Sequence, residues 1–307
     1  MSANEAWRQA IAQAELLLQE GEAAEDIPMI ADAVSGFNAA LRLISRTDAP
    51  LDWAKTQSRL SAALRALGAR IDDPVMLQSA MTACHAALDV YSVREAPFEW
   101  ARTVALLGAA QVVLGERDSD PVWLQAALNS YRSAATVYTR EAAPSDWARM
   151  QRNCGAVLSL VGERMNDNAA LRDAIDHYHA ALDEYAGHDS PLDLALTHSN
   201  LGQALRVLGE READREILAE AVAACRAALE VYTQEASPLE WAMTSTNLAN
   251  ALVALAATET GSVHLEEAIA VYRQALTALD GPERIQQRAI ARYNLKRAEQ
   301  QLSALRT

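Results

Sequence analysis

Apolar stripes at helical spacing alternate along the chain with short polar breaks. Trp53, Leu60, Leu64 and Leu67 fall seven, four and three residues apart, so they share one face of an α-helix that ends near Gly68. After a polar break at Asp73, a second stripe runs through Leu77, Ala80, Cys84, Ala87, Leu88 and Tyr91. Two amphipathic helices joined by a short polar segment predict an antiparallel pair.

The pair repeats. Pro50, Pro97, Pro144, Pro191 and Pro238 are spaced by 47 residues. The same step joins Trp53, Trp100, Trp147 and Trp241, with Leu194 in the missing place, and it joins Tyr91, Tyr138, Tyr185 and Tyr232. Gly68, Gly115, Gly162 and Gly209 follow it too, with Gly21 one step earlier. Four series in one phase mark an array of like units. The tryptophans and tyrosines, fixed in that phase, are expected in the packing seam between repeats.

Each first helix opens on a segment like PLDWA. Proline suits the first helical position because its missing N–H would have no partner there, and the Asp or Glu two residues on favours the positive end of the helix dipole. The glycines are expected to end these helices in the left-handed conformation. Each second helix is expected to start at Asp26, Asp73, Asp120, Asp167 or Asp214, whose side-chain oxygens can accept from unpaired N–H groups. All nine prolines lie at or beside expected helix starts, so no helix interior is broken.

Within each period an L-G pair is followed by A-x-x-x-Y-x-x-A-L or a close variant. Leu201, Gly202, Ala221, Cys225, Ala228 and Leu229 form one copy, and Leu107, Gly108, Ala127, Tyr131 and Ala134 another. This resembles the tetratricopeptide repeat, closely over residues 50–300 and more loosely before them. The family's period is about 34 residues. The extra residues here are expected in a longer loop between paired helices and in a longer second helix or linker, which is similar to elongated bacterial arrays, including those attached to signalling or protease modules. The expected fold is therefore all-α, a right-handed α-solenoid of about six antiparallel helix pairs plus a C-terminal capping helix. It is expected to form a single domain over 1–307, with a first pair at 1–49, five repeats at 50–281, and a basic capping helix and tail at 282–307 that opens at Pro282.

The resemblance implies that the first helices line a concave groove, where an asparagine before the L-G pair contacts a bound peptide backbone. Asn153, Asn200, Asn247 and Asn294 occupy that phase, while Arg59 and Leu106 break it in earlier repeats. An amide offers both donor and acceptor, so such a row can pair with an extended backbone of any sequence. It can equally bond the neighbouring helix and set the stacking. Lys55, Arg65, Arg102, Arg149, Arg152, Gln203 and Arg206 are expected on the same face, giving a basic groove suited to an acidic peptide or a terminal carboxylate.

Composition narrows the classes further. A formal net charge of -14 with a pI near 4.9 opposes a general nucleic-acid binder. Cys84, Cys154 and Cys225 are odd in number and fit no metal-ligand spacing, which favours a reducing cytoplasm. His177 and His179, two apart on a helix, point to different faces and do not share a metal. The amino terminus shows no leader pattern and no stretch is apolar enough to span a membrane. No phosphate loop, nucleophile elbow or dinucleotide turn is present. The expected function is a protein- or peptide-binding scaffold without cofactor or metal. The alternatives are an assembly or regulatory subunit that self-associates through the apolar run Ile11, Leu16, Leu17 and Leu18, or an all-α enzyme with a pocket in the superhelix.

Overall fold

The computed structural model describes residues 3–118, 121–188, 190–259, 261–280 and 284–305. Asp120 and Pro282, named above as a cap and a helix start, lie outside them. Among the described residues the secondary structure is helical, and the chain falls into two compact units, Met1–Met150 and Gln151–Thr307.

In the first unit α1 (Ala3–Ala23) pairs with α2 (Ile27–Leu41), α3 (Pro50–Arg70) with α4 (Pro74–Leu88), and α5 (Pro97–Arg117) with α6 (Val122–Ala135). The division falls within α7 (Pro144–Met165). The second unit continues with α8 (Asn168–Tyr185), the pair α9 (Pro191–Glu212) and α10 (Arg215–Leu229), the pair α11 (Pro238–Ala256) and α12 (Val263–Ala278), and α13 (Ile285–Leu305). Within each unit second helices also pack on the following first helix, as α2 on α3, α4 on α5, α8 on α9, α10 on α11 and α12 on α13, and first helices touch directly, as α3 on α5 and α11 on α9 and α13.

The aspartate caps form as expected. Asp26 Oδ1 accepts from Met29 N at 2.9 Å, Asp73 Oδ1 from Val75 N at 2.8 Å, Asp167 Oδ1 from Ala169 N at 2.9 Å and Asp214 Oδ1 from Glu216 N at 2.9 Å. Each such bond satisfies a helix-end donor and contributes about 1 kcal/mol.

The glycines act differently from the expectation. Gly21, Gly68, Gly162 and Gly209 lie inside their helices, and the left-handed residues are Glu25, Asp72, Asn166 and Ala213, with φ of 55°, 58°, 54° and 51°. The N–H of the residue after each returns to the glycine carbonyl, Asp73 N to Gly68 O at 3.0 Å and Asp214 N to Gly209 O at 3.0 Å, closing the helix end. What the glycine supplies is a missing side chain. A Cβ at Gly115 or Gly162 would stand 2.6 Å from Leu124 Cδ2 or Leu171 Cγ, and one at Gly209 would stand 2.8 Å from Leu218 Cγ. Those leucines are 1%, 0% and 1% exposed, so they have no space to retreat into.

The extra length of the period lies only partly where expected, in the linker between pairs and not in the loop within them. The loop between paired helices is short, from Ile71 to Asp73, whereas the first helix α3 has 21 residues and the connection from α4 to α5 spans 89–96. Tyr91 closes that connection by donating to Leu51 O at 3.3 Å, and Tyr138, one step later in the connection after α6, donates to Phe98 O at 3.2 Å. Tyr91 packs with Ala54 and Ala87, and Trp53 and Trp100 lie against the cluster, in the seam that the repeat phase assigns to them. Along α1, Ile11 is buried and Leu17 and Leu18 pack on the core, which leaves Leu16 exposed.

Successive repeats are also stitched by polar bonds. Arg70, Arg117 and Arg211 each reach the end of the preceding first helix, donating to Glu22 O at 3.4 Å, Gly68 O at 3.3 Å and Gly162 O at 3.0 Å. A cation there meets the negative end of the helix dipole. Buried hydroxyls add a second row. Trp7 Nε1 donates to Thr56 Oγ1 at 3.0 Å, Thr103 and Ser58 lie 3.2 Å apart, and Ser199 and Thr244 lie 3.1 Å apart.

In an ordinary helix interior, glycine to alanine gains about 1 kcal/mol. Gly162→Ala is expected instead to destabilise by about 1–3 kcal/mol through overpacking against Leu171, read as a lower urea midpoint by circular dichroism. Gly187→Ala, whose Cβ would meet only Glu184 O at 3.6 Å, is expected to change stability by less than about 0.5 kcal/mol.

Candidate functional site

The first helices bring the asparagine row onto neighbouring elements in the second unit. Asn153 lies on α7, Asn200 on α9, Asn247 on α11 and Asn294 on α13, all half-buried. Each precedes an apolar residue of the L-G phase, and Cys154, Leu201 and Leu248 in that phase are buried. The core side of the helix is thereby fixed, and the asparagine is held at its margin. α11 packs against both α9 and α13, so Asn200, Asn247 and Asn294 occupy equivalent places on three adjacent helices.

Asn294 Nδ2 donates to Asn250 Oδ1 at 2.9 Å, and the Tyr272 hydroxyl donates to the same oxygen at 2.5 Å. Burial raises the Tyr272 phenol well above its ordinary value, so it remains a proton donor. Among the described residues, the amides of Asn153, Asn200 and Asn247 make no hydrogen bond to another protein group. A cavity of about 530 Å³ opens on α9, α11 and α13, lined by Arg206, Glu210, Asn250, Tyr272, Asn294 and Arg297 among others. Asn250 and Arg297 were not among the expected site residues. Both lie one and two 47-residue steps after Gln203, which is the signal that identifies them.

Several of the expected cations are neutralised within the chain. Arg149 pairs with Asp146, Arg152 with Asp193 at 2.5 Å, Arg65 with Glu22 at 3.5 Å and Arg206 with Glu210 at 2.8 Å, while Gln203 bonds Glu163 at 3.1 Å. Lys55 and Arg102 are exposed and line a second cavity, of about 520 Å³, in the first unit. Arg59 shares that cavity and is paired with Glu15 at 2.9 Å. Asp52, Glu95 and Glu99 line it as well, so its charge is mixed. Tyr91, at its edge, is pushed up to about 12 by burial and then by Glu99. In the second unit Arg297 faces the first cavity with no carboxylate partner among the described residues, its guanidinium 5.9 Å from the Tyr293 ring centroid.

No group of three or more His, Cys, Asp and Glu side chains that could hold a metal occurs among the described residues. His177 Nδ1 lies 2.7 Å from Gln151 Oε1 and His179 faces Glu220 at 3.3 Å. Burial pushes the Cys84 thiol up to about 11, against the opposing bond to Ser61, and the Cys225 thiol up to about 12. No described helix is long and apolar enough to cross a membrane.

No protein-family model matches the sequence, and no curated protein matches it. Among solved structures, the chain is similar to BtubC (BKLC) from P. vanneervenii, with 14% identity and a TM-score of 0.48 over 90% of this chain and 93% of that one. It is similar to the TPR2AB domain of yeast Sti1 in complex with pHSP90, with 15% identity and a TM-score of 0.33 over 98% of this chain and 99% of that one. It is similar to yeast Tom70, with 13% identity and a TM-score of 0.35 over 89% of this chain and 61% of that one. The sequential helix pairs and their 47-residue phase make the architecture tetratricopeptide-like.

The raised thiol values carry a direct consequence, because the thiolate is the reactive form. At pH 8 the native protein is expected to leave Cys84, Cys154 and Cys225, all buried, unmodified by a thiol-specific chromogenic disulfide. Denaturant is expected to release all three. Rapid reaction of any of them in the native state would contradict the burial.

Proposed function

We propose that this chain is a protein- or peptide-binding scaffold that works through the first helices of its repeats. The observation that carries the reading is the set of amides on α9 and α11. Asn200 and Asn247 sit at equivalent positions of adjacent helices, half-buried, with no protein partner among the described residues, and the same helices line a cavity together with Asn250, Asn294 and Arg297. Amides so placed offer donors and acceptors to an extended backbone without regard to its sequence. Asn153 belongs to the same row by phase, and Asn294 contributes through its bond to Asn250.

An acidic peptide or terminal carboxylate is the ligand class that Arg297 favours on the second unit, since Arg152 and Arg206 are occupied by carboxylates of the chain. The attraction is therefore local. The net charge of -14 opposes nucleic acid as the partner. Three buried, reduced cysteines suit a cytoplasmic setting. The self-association reading rests on Leu16 alone, since the rest of its apolar run is covered.

Affinity capture from native cells would supply the partner, and a titration would test the site. Asn200→Ala with Asn247→Ala is expected to weaken partner binding about tenfold or more, equivalent to about 1.4 kcal/mol, with helicity unchanged. Equal affinity of the double variant and the parent would remove the reading.

A further inference from the structure

One position of the first helix changes chemistry along the chain. At the sixth residue of each first helix, counted from the proline, the earlier repeats carry Lys55, Arg102 and Arg149, and the later ones carry Leu196 and Met243, with Ile290 one further step on. The three aliphatic side chains are 40%, 47% and 50% exposed. Scattered exposed apolar residues are ordinary. These are not scattered, because they lie in one phase on α9, α11 and α13, and α11 packs against the other two.

Each aliphatic residue stands four before an asparagine of the row and seven before Gln203, Asn250 or Arg297. Residues at i, i+4 and i+7 share a helix face. The face of α9, α11 and α13 therefore presents an aliphatic row, an amide row beside it, and a third row that ends in Arg297. Leu192 at 61% and Tyr293 at 64% exposure enlarge the apolar part. Charge is uneven across it. On this face of α13, Arg297 has no carboxylate partner among the described residues, and Glu299 is taken by Arg273 at 2.7 Å. By contrast, Asp193 on α9 is already neutralised by Arg152.

We propose that this face selects an extended polypeptide segment with aliphatic side chains, lying with a carboxylate toward α13. The proposal rests on the peptide-binding reading above and adds what that reading lacks, a basis for choosing among sequences. An extended segment leaves backbone N–H and C=O groups open to the amides, whereas a helix has satisfied its own. Its alternate side chains fall on one side and meet the aliphatic row. The uncompensated Arg297 guanidinium is complementary to a terminal or side-chain carboxylate.

The test uses the full chain and two fluorescein-labelled peptides read by anisotropy, Ser-Leu-Ser-Leu-Ser-Leu-Asp-Asp and its counterpart with every leucine replaced by serine. The leucine peptide is expected to bind about tenfold or more tightly than its counterpart. Leu196→Lys with Met243→Arg places the residue types of the earlier repeats at exposed sites of the same phase, and it is expected to abolish that preference with unchanged circular dichroism. Arg297→Gln is expected to weaken the leucine peptide about threefold or more. Equal binding of the two peptides, or a preference that survives the Leu196 and Met243 changes, would overturn the aliphatic row while leaving the amide reading intact. Binding of neither peptide at about 1 mM would overturn the proposal too. The amide reading fails separately, by unchanged partner affinity in the Asn200 and Asn247 variant.

Discussion

The structure depends on how closely the two helices of each pair approach at a glycine. At Gly115, Gly162 and Gly209 the facing leucine occupies the volume a Cβ would need. That contact sets the register of the pair, because sliding either helix by one position would drive a side chain into the space. From it follow the position of the aspartate caps, the left-handed residue four after the glycine, and the reach of Arg117 and Arg211 to the preceding helix end. Because the register is held from the core side, residues on the opposite margin vary without disturbing the fold. This freedom explains how one phase can hold Lys55 and Arg102 in the first unit and Leu196 and Met243 in the second.

Charge is distributed by local pairing. The chain is acidic overall, yet many of its arginines lie within ion-pair distance of a carboxylate, either in their own helix, as Arg206 with Glu210, or in a neighbouring element, as Arg215 with Glu259 at 2.6 Å. Exposed pairs of this kind contribute little to stability, about 0–1 kcal/mol each. Their larger effect is to cancel the field that the cations would otherwise project. What is left on the second unit is a face of amides and aliphatic groups with a positive edge at α13. Recognition by such a face turns on shape, backbone pairing and apolar burial more than on long-range attraction.

The repeat step made the helix pairs, the proline starts, the aspartate caps and the buried tyrosines legible, since each depends on residues adjacent in sequence or separated by a constant 47. The role of the glycines was not legible from local preference alone. Glycine tolerates the left-handed region better than any other residue, but here the packing against Leu124, Leu171 and Leu218 requires it inside the helix, and Glu25, Asp72, Asn166 and Ala213 accept the strain. The short loop at 71–73 follows from that closure. The ion pairing of the expected cations was not legible for a different reason. Arg152 and Asp193 lie 41 residues apart, and a pairing across helices carries no local signature. Asn250 and Arg297 were visible in the same phase as Gln203, and the arginine row from Arg70 to Arg211 in a phase of its own. Both needed every column of the repeat to be followed, including those whose first members, such as Ala62 and Ala109, look bland.

The central proposal is that the amide margin of α9, α11 and α13 meets the partner. Side-chain amide signals in proton–nitrogen correlation spectra of the full chain, recorded while the captured partner is added, address it directly. The account predicts that the amide signals of Asn200, Asn247 and Asn250 shift, while those of Asn38 on α2 and Asn129 on α6 hold still. Shifts confined to Asn38 and Asn129, with the three inner amides unmoved, would contradict it.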